Sequence, residues 1–306
     1  MQTSQPTTQP SATPTRHRQP GHGQEHPLAA DPATSRRRLR RPQRFRERYG
    51  PWAIVTGASS GIGRETALVL ADAGLDLVLV ARRRGPLDQL ATDLTRRHRL
   101  QVRVLDIDLA RPDGPERLDA ATGDLDVGLL VAAAGFGTSG PFLDADLDQE
   151  LELLDVNCRA VLAGSLHSAR RLARRGRGGI VLLASLVGRQ GTPGAAHYAA
   201  TKAYVQTLAE ALHQELAPAG IDVVAAAPGP VHSGFAARAG MHMTAALDPT
   251  DVAAATLEAL GRRAVVTPGA LSKLLTWSLL ALPRQARVRV MGAVMGRMTT
   301  HRQPHR

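Results

Sequence analysis

Cysteine is almost absent from these 306 residues: Cys158 stands alone. A disulfide framework within the chain is thereby excluded, and a reducing compartment such as the cytoplasm is the expected setting. Aromatic residues make up only 3 %, so the core has to be built from Leu, Val and Ala within a hydrophobic content of 43 %. No run of about 18 apolar residues occurs, which argues against a spanning helix. The first residues contain no apolar stretch of the kind a secretory signal needs. Lysine is scarce too, with Lys202 and Lys273 the only two among 38 basic residues. Acids are missing from residues 261–306, which carry +9; residues 1–50 carry +7, so a net charge of +11 leaves −5 for the stretch between. The basic charge belongs to the two ends rather than to the body, which argues against a nucleic-acid-binding fold.

What is there divides into three stretches. Residues 1–50 form a tail. As far as about residue 35 it is rich in Gln, Pro, Thr, Ser and His, too polar to offset its ordering entropy, and "RRRLRRPQRFRERYG" then follows as a solvated arginine-rich arm. From Trp52 onward, short apolar runs alternate with segments of helical length. The runs are 52–57, 75–81, 102–108, 127–135, 179–185 and 221–229, with a weaker seventh at 264–269. They are nearly continuous in Val, Leu, Ile and Ala, the signature of strands buried on both faces in a parallel sheet. Helices are expected at 61–73, 86–97, 146–175, 197–217 and 249–260. The alternation predicts a single α/β domain over residues 51–267, a Rossmann-like, doubly wound parallel sheet of about seven strands flanked by helices. Residues 268–306 form a basic, amphipathic C-terminal extension.

The first strand runs into "TGASSGIG". Gly57, Gly61 and Gly63 allow a tight turn and close backbone approach. The amides that open the following helix then face a pyrophosphate, with Ser59, Ser60 and Ile62 in the same turn. The second strand ends in Ala81, Arg82 and Arg83 where an NAD site usually carries an acid for the ribose 2′-hydroxyl. A guanidinium forks well onto a phosphate dianion, so the expected cofactor is NADP(H), with NAD the alternative and Arg82 the first contact.

"YAATK" explains one of the two lysines. On a helix, Tyr198 and Lys202 stand at i and i+4 and share a face. A phenol is a poor acid–base catalyst at neutral pH, and a nearby ammonium is expected to lower its pKa. A compact ammonium with rotatable donors suits that task better than the flat fork of arginine. Ser185 ends the fifth strand, where doubly wound folds hold ligands. Asn157 lies inside a helical segment, a mildly unfavourable place for it.

The ordered motifs "TGASSGIG", "DVN", the serine of "LLAS", "YAATK" and "PGPVHSGF" resemble the short-chain dehydrogenase/reductase family over about residues 51–267. The resemblance implies a catalytic tetrad of Asn157, Ser185, Tyr198 and Lys202. Tyr198 would be the acid/base, Ser185 would polarise the carbonyl oxygen, Lys202 would hold the nicotinamide ribose, and Asn157 would anchor a relay water. It also implies Asp108 and Leu109 at the adenine (Asp106 being a competing register), Gly135 at the adenosine ribose, and Pro228, Gly229, Val231 and Ser233 over the nicotinamide. No metal is implied. One departure is "AAAG" at 132–135, where the family reads N-N-A-G, so some rigidity near the cofactor is expected to be lost. The expected reaction interconverts an apolar ketone and a secondary alcohol; a cofactor-sensing or scaffold protein of the same fold is the alternative. Fewer than 40 residues follow the seventh run, too few for the larger substrate domain of nucleotide-sugar epimerases.

The segment 268–298 presents Leu271, Leu274, Leu275, Leu279 and Leu282 at helical spacing, interrupted by Pro283. It reads as a cap on the substrate pocket or a subunit contact, or else as an interfacial helix laying Trp277 on the inner face of a membrane. Phe142, Leu143, Phe235 and a lid over 236–247 containing Met241 and Met243 are expected to line the pocket. A homo-oligomer is expected from the family resemblance.

Overall fold

The computed structural model describes residues 37–241 and 246–299. Most of the expected disordered tail, Met243 and residues 300–306 lie outside them. Seven parallel strands form one sheet: β1 (Trp52–Thr56), β2 (Asp76–Ala81), β3 (Val102–Asp106), β4 (Val127–Ala132), β5 (Gly178–Leu183), β6 (Ile221–Ala226) and β7 (Val265–Val266). Their order is β3-β2-β1-β4-β5-β6-β7. The order reverses between β1 and β4, and a crevice opens there at the carboxyl ends of the strands.

The continuous apolar runs follow from burial on both faces. Ala53, Val55, Leu77, Leu79, Leu129 and Val131 pack on one side, while Ile54, Val78, Val80, Leu130 and Ala132 pack on the other. The first face is covered by α2 (Gly61–Asp72), α3 (Arg84–Arg97) and α9 (Pro249–Ala259) through Leu68, Leu87, Leu94 and Leu257. The second is covered by α4 (Gly114–Ala120), α6 (Ala160–Arg175) and α7 (Ala196–Glu215) through Leu118, Val161, Leu172 and Val205.

Three elements differ from the sequence expectation. The end of the tail is folded: α1 (Pro42–Tyr49) lies within what reads as a solvated arm. Tyr49 and Leu39 join the first core face, and Tyr49 Oη donates to Asp222 Oδ2 at 2.8 Å. Arg40 and Arg48 pair with Glu258 and Asp222. Charge on this arm is spent on partners of the folded domain, so the ordered chain starts before residue 51. The single helix expected over 146–175 is α5 (Leu147–Leu154), a π-turn at Asp155–Arg159, and α6. Asp146 caps α5 by accepting from the Gln149 amide. The apolar run 127–135 leaves the sheet after Ala132, because its last residues turn to form the crevice wall.

The C-terminal extension forms α10 (Ala270–Leu280) and α11 (Arg284–Thr299), separated at Pro283. Both pack over the crevice. A Cβ at Gly229 would stand 2.6 Å from Ser272 Oγ of α10, and Gly292 of α11 meets Pro193. The expected Leu stripe divides: Leu275, Leu279 and Leu282 line the crevice, while Leu271, Leu274 and Trp277 face outward.

Candidate active site

The phosphate cradle is built first. Gly57 ends β1 at φ +67°, and a Cβ there would lie 2.8 Å from the Ala133 carbonyl oxygen. Gly63, one turn into α2, leaves no room either, since a Cβ would come within 2.4 Å of the Gly57 carbonyl oxygen. Any side chain at these positions would push α2 off β1 and close the space its amides face. "AAAG" is braced by another route. Thr56 Oγ1 donates to the Val131 carbonyl at 3.4 Å and accepts from the Ala134 amide at 3.0 Å, which ties β1 to β4 and to the turn after it. The rigidity expected to be lost with the absent amides is supplied in part by this threonine.

A cavity of about 1080 Å³ runs along the carboxyl edge of the sheet. It brings together Gly57, Ser59, Ser60, Gly61, Ile62 and Gly63 with Arg82 and Arg83, Asp108 and Leu109, and Gly135. Ser185, Tyr198, Lys202, Pro228, Gly229, Val231 and Ser233 join them on the same wall. Of the two registers considered after β3, Asp108 faces the cavity and accepts from the Ala110 amide at 3.0 Å. Asp106 is exposed and pairs with Arg84. Pro228 accepts from the Leu186 amide at 3.0 Å, joining the loops after β5 and β6.

Asn157 is fully buried and outside this wall. Its Nδ2 donates to the Phe136 carbonyl at 2.9 Å and to Thr201 Oγ1 at 3.1 Å, and its Oδ1 accepts from the Phe136 amide at 3.2 Å. Thr201 in turn donates to the Tyr198 carbonyl at 2.8 Å. The amide therefore splints the turn after β4 to α7. The π-turn rotates Asn157 onto this contact; such turns recur at functional sites.

Tyr198 and Lys202 are buried one turn apart on α7. Burial pushes the Tyr198 phenol up to about 12, opposed by the hydrogen bond from Ser185. Burial brings the Lys202 ammonium down to about 8. Lys202 Nζ donates to the Leu183 carbonyl at 2.7 Å and stands 5.8 Å from the Tyr198 ring centre. The spacing suggests that the lysine lowers the phenol pKa; in this geometry desolvation of the phenol prevails.

The remaining half of the cavity is apolar. Phe235 packs on Tyr198 with ring centres 5.3 Å apart, and Met241, Leu279, Met291 and Met295 continue the wall. Phe142 and Leu143 do not contribute. They sit on a short 3₁₀ turn at Phe142–Asp144, 73 % and 97 % exposed, because the chain there swings away from the crevice. The methionines of α11 and Arg238 were not singled out by the sequence. Apolar spacing marks a helix face as buried but does not say which cavity it meets.

Residues 51–243 match the family described as short chain dehydrogenase. The chain is 34 % identical over 233 residues to a 7beta-hydroxysteroid dehydrogenase of Clostridium sardiniense, covering 75 % of this chain and 89 % of that one. It is 38 % identical over 179 residues to a very-long-chain 3-oxoacyl-CoA reductase of Podospora anserina, covering 57 % of this chain and about half, 53 %, of that one. Among solved structures, a short-chain dehydrogenase of Sphingobium yanoikuyae in complex with NADPH superposes with a TM-score of 0.69 at 32 % identity, over 79 % of this chain and 95 % of that chain. This chain belongs to the short-chain dehydrogenase family, a class of oxidoreductases that act on CH–OH groups.

Proposed function

We propose that this protein is an NADP(H)-dependent oxidoreductase interconverting a bulky, apolar ketone and its secondary alcohol. The observation that carries the reading is the position of Tyr198 and Ser185, which line one cavity where the glycine cradle meets a chamber walled by Leu, Met and Phe. The cradle suits a dinucleotide: a Cβ would fill it at Gly57 or Gly63, and the donors around it are backbone amides, Ser59 and Ser60. Arg82 and Arg83, with no acid at the end of β2, favour a 2′-phosphorylated adenosine.

The bound nicotinamide supplies or accepts the hydride. Tyr198 gives its proton to the carbonyl oxygen during reduction and takes it back in oxidation. Ser185 donates a second hydrogen bond to the same oxygen. Lys202 leaves the Leu183 carbonyl to hold the ribose, and its ammonium favours the phenolate as the proton departs. Asn157 acts through the Phe136 backbone and α7, as a positioning residue. The substrate class follows from the chamber and agrees with the hydroxysteroid and long-chain 3-oxoacyl chemistry in the relatives' names. A non-catalytic sensor would need Lys202 for the ribose but would have no use for Ser185 and Tyr198 together.

Two assembly proposals accompany this reading. The outward Leu271, Leu274 and Trp277 of α10, in a segment without acids, suit peripheral contact with an anionic membrane surface. Among the described residues, no helix is long and apolar enough to cross a membrane. Exposed Leu151, Leu154, Leu162 and Leu166 on α5 and α6 suit a homo-oligomer. The deciding experiment follows NADPH oxidation against steroid, fatty-acyl and bulky aliphatic ketones, with Tyr198→Phe as control. Turnover that survives Tyr198→Phe, or none with any ketone, overturns the proposed reaction.

A further inference from the structure

Arg238 belongs to α8 (Phe235–Ala239), on the substrate side of the cavity, but its contacts lie on the adenosine side. Its Nη2 reaches Glu152 Oε1 at 3.3 Å, and Arg82 Nη1, just after β2, reaches the same oxygen at 2.7 Å. The guanidinium carbon sits 3.8 Å from the ring centre of Phe136, the residue after Gly135. Asp108 attracts it from a longer distance. Arg82, Arg83, Asp108, Phe136 and Arg238 all line the one cavity.

This arrangement is hard to assign to the substrate. The substrate chamber is Leu, Met, Val and Phe, and a fixed guanidinium gains nothing there. Two guanidiniums share a single oxygen of Glu152, with Asp108 at longer range, and Arg83 at the rim leaves this group of five side chains with one net positive charge. Burial, and after it the like charge of Arg82, lowers the hold of Arg238 on its proton. An incoming dianion relieves the repulsion between the guanidiniums, and a planar guanidinium held against a ring can take it in a fork.

We propose that Arg238 determines cofactor specificity: together with Arg82, it binds the 2′-phosphate of NADP. The proposal rests on the NADP reading above and deepens it, because it gives the substrate-side helix a direct hold on the cofactor. In the free protein, Glu152 keeps the two guanidiniums together at the mouth of the site. Binding of the phosphate then anchors α8, whose Phe235 already packs on Tyr198, and a cofactor without that phosphate lacks this anchor.

The test is calorimetric and needs no substrate. Adenosine 2′,5′-bisphosphate and adenosine 5′-monophosphate are titrated into the full chain and into Arg82→Ala, Arg238→Ala and Arg238→Lys. Arg238 is partly exposed, with 40 % of its side chain open to solvent, so its variants should fold; circular dichroism checks this. Arg238→Ala is expected to weaken the bisphosphate about 10- to 100-fold, the cost of a charge-assisted hydrogen bond, and to leave the monophosphate within about threefold. Arg238→Lys should recover only part of the loss, since an ammonium does not fork. Equal weakening of both ligands, or no change in either while Arg82→Ala abolishes the preference, overturns the role of Arg238. A wild-type protein that binds the bisphosphate no better than the monophosphate overturns the NADP reading itself, and this proposal with it.

Discussion

At the residue scale, the proposed catalytic pair, Tyr198 and Lys202, is set by how little water reaches it. Tyr198, pushed up to about 12, stays a phenol throughout the physiological range, as a proton donor for reduction requires. Lys202, brought down to about 8, loses its proton well before a free lysine would. Its charged form is the one proposed to hold a ribose and steady a phenolate. The kcat/KM for NADPH should therefore be full below pH of about 8 and fall about tenfold per unit above it. A profile flat to pH 10 would show that the ammonium is not needed. Tyr198→Phe should cost about 10²- to 10⁴-fold in kcat, the usual worth of a positioned acid, with NADPH affinity measured by calorimetry nearly unchanged. Asn157→Ala removes three buried hydrogen bonds, each worth about 1 kcal/mol. It should lower both the melting temperature and kcat, because the splint holds the turn after β4 and α7 in register.

At the element scale, α1 and the α10–α11 pair extend the folded body at both ends. Tyr49 and Arg48 of α1 both reach Asp222 at the start of β6. Asp222→Asn leaves the Arg48 and Tyr49 donors with a weaker acceptor, and chemical denaturation should show a loss of about 1–3 kcal/mol without a change in cofactor affinity. The outer face of α10 offers a cleaner test than deletion, since deletion would also remove the cavity wall. Leu274→Glu with Trp277→Glu alters two exposed side chains and should leave the cavity intact. Flotation with anionic liposomes should carry the wild-type protein and not this variant; equal flotation of both would remove α10 as the contact.

At the scale of the whole molecule, strand order puts the cradle, the tyrosine and the apolar chamber along one edge, so cofactor binding should stabilise the entire fold. NADPH at about 100 times its Kd contributes about 2.7 kcal/mol, a rise in melting temperature of about 5–10 °C for a chain of this size. NADH at the same concentration should do less. Much of this was legible in the sequence because it is local. Continuous apolar runs mark doubly buried strands, "TGASSGIG" requires backbone space at Gly57 and Gly63, and the i, i+4 spacing puts Tyr198 beside Lys202 on α7. These features depend on the period of a helix, the pleat of a strand and the size of one side chain. Burial and long-range pairing were decided only by the tertiary structure. The phenol rises rather than falls because burial outweighs the opposing effect of the Ser185 hydroxyl. Asn157 is spent on Phe136, and Thr56 takes over a brace that the alanines cannot make. Phe142 and Leu143 point into solvent, and Arg82 and Arg238 meet on a glutamate that no spacing rule connects to either. A sequence records which groups are present and how they repeat. Which groups are desolvated, and by what, is determined only when distant segments pack together.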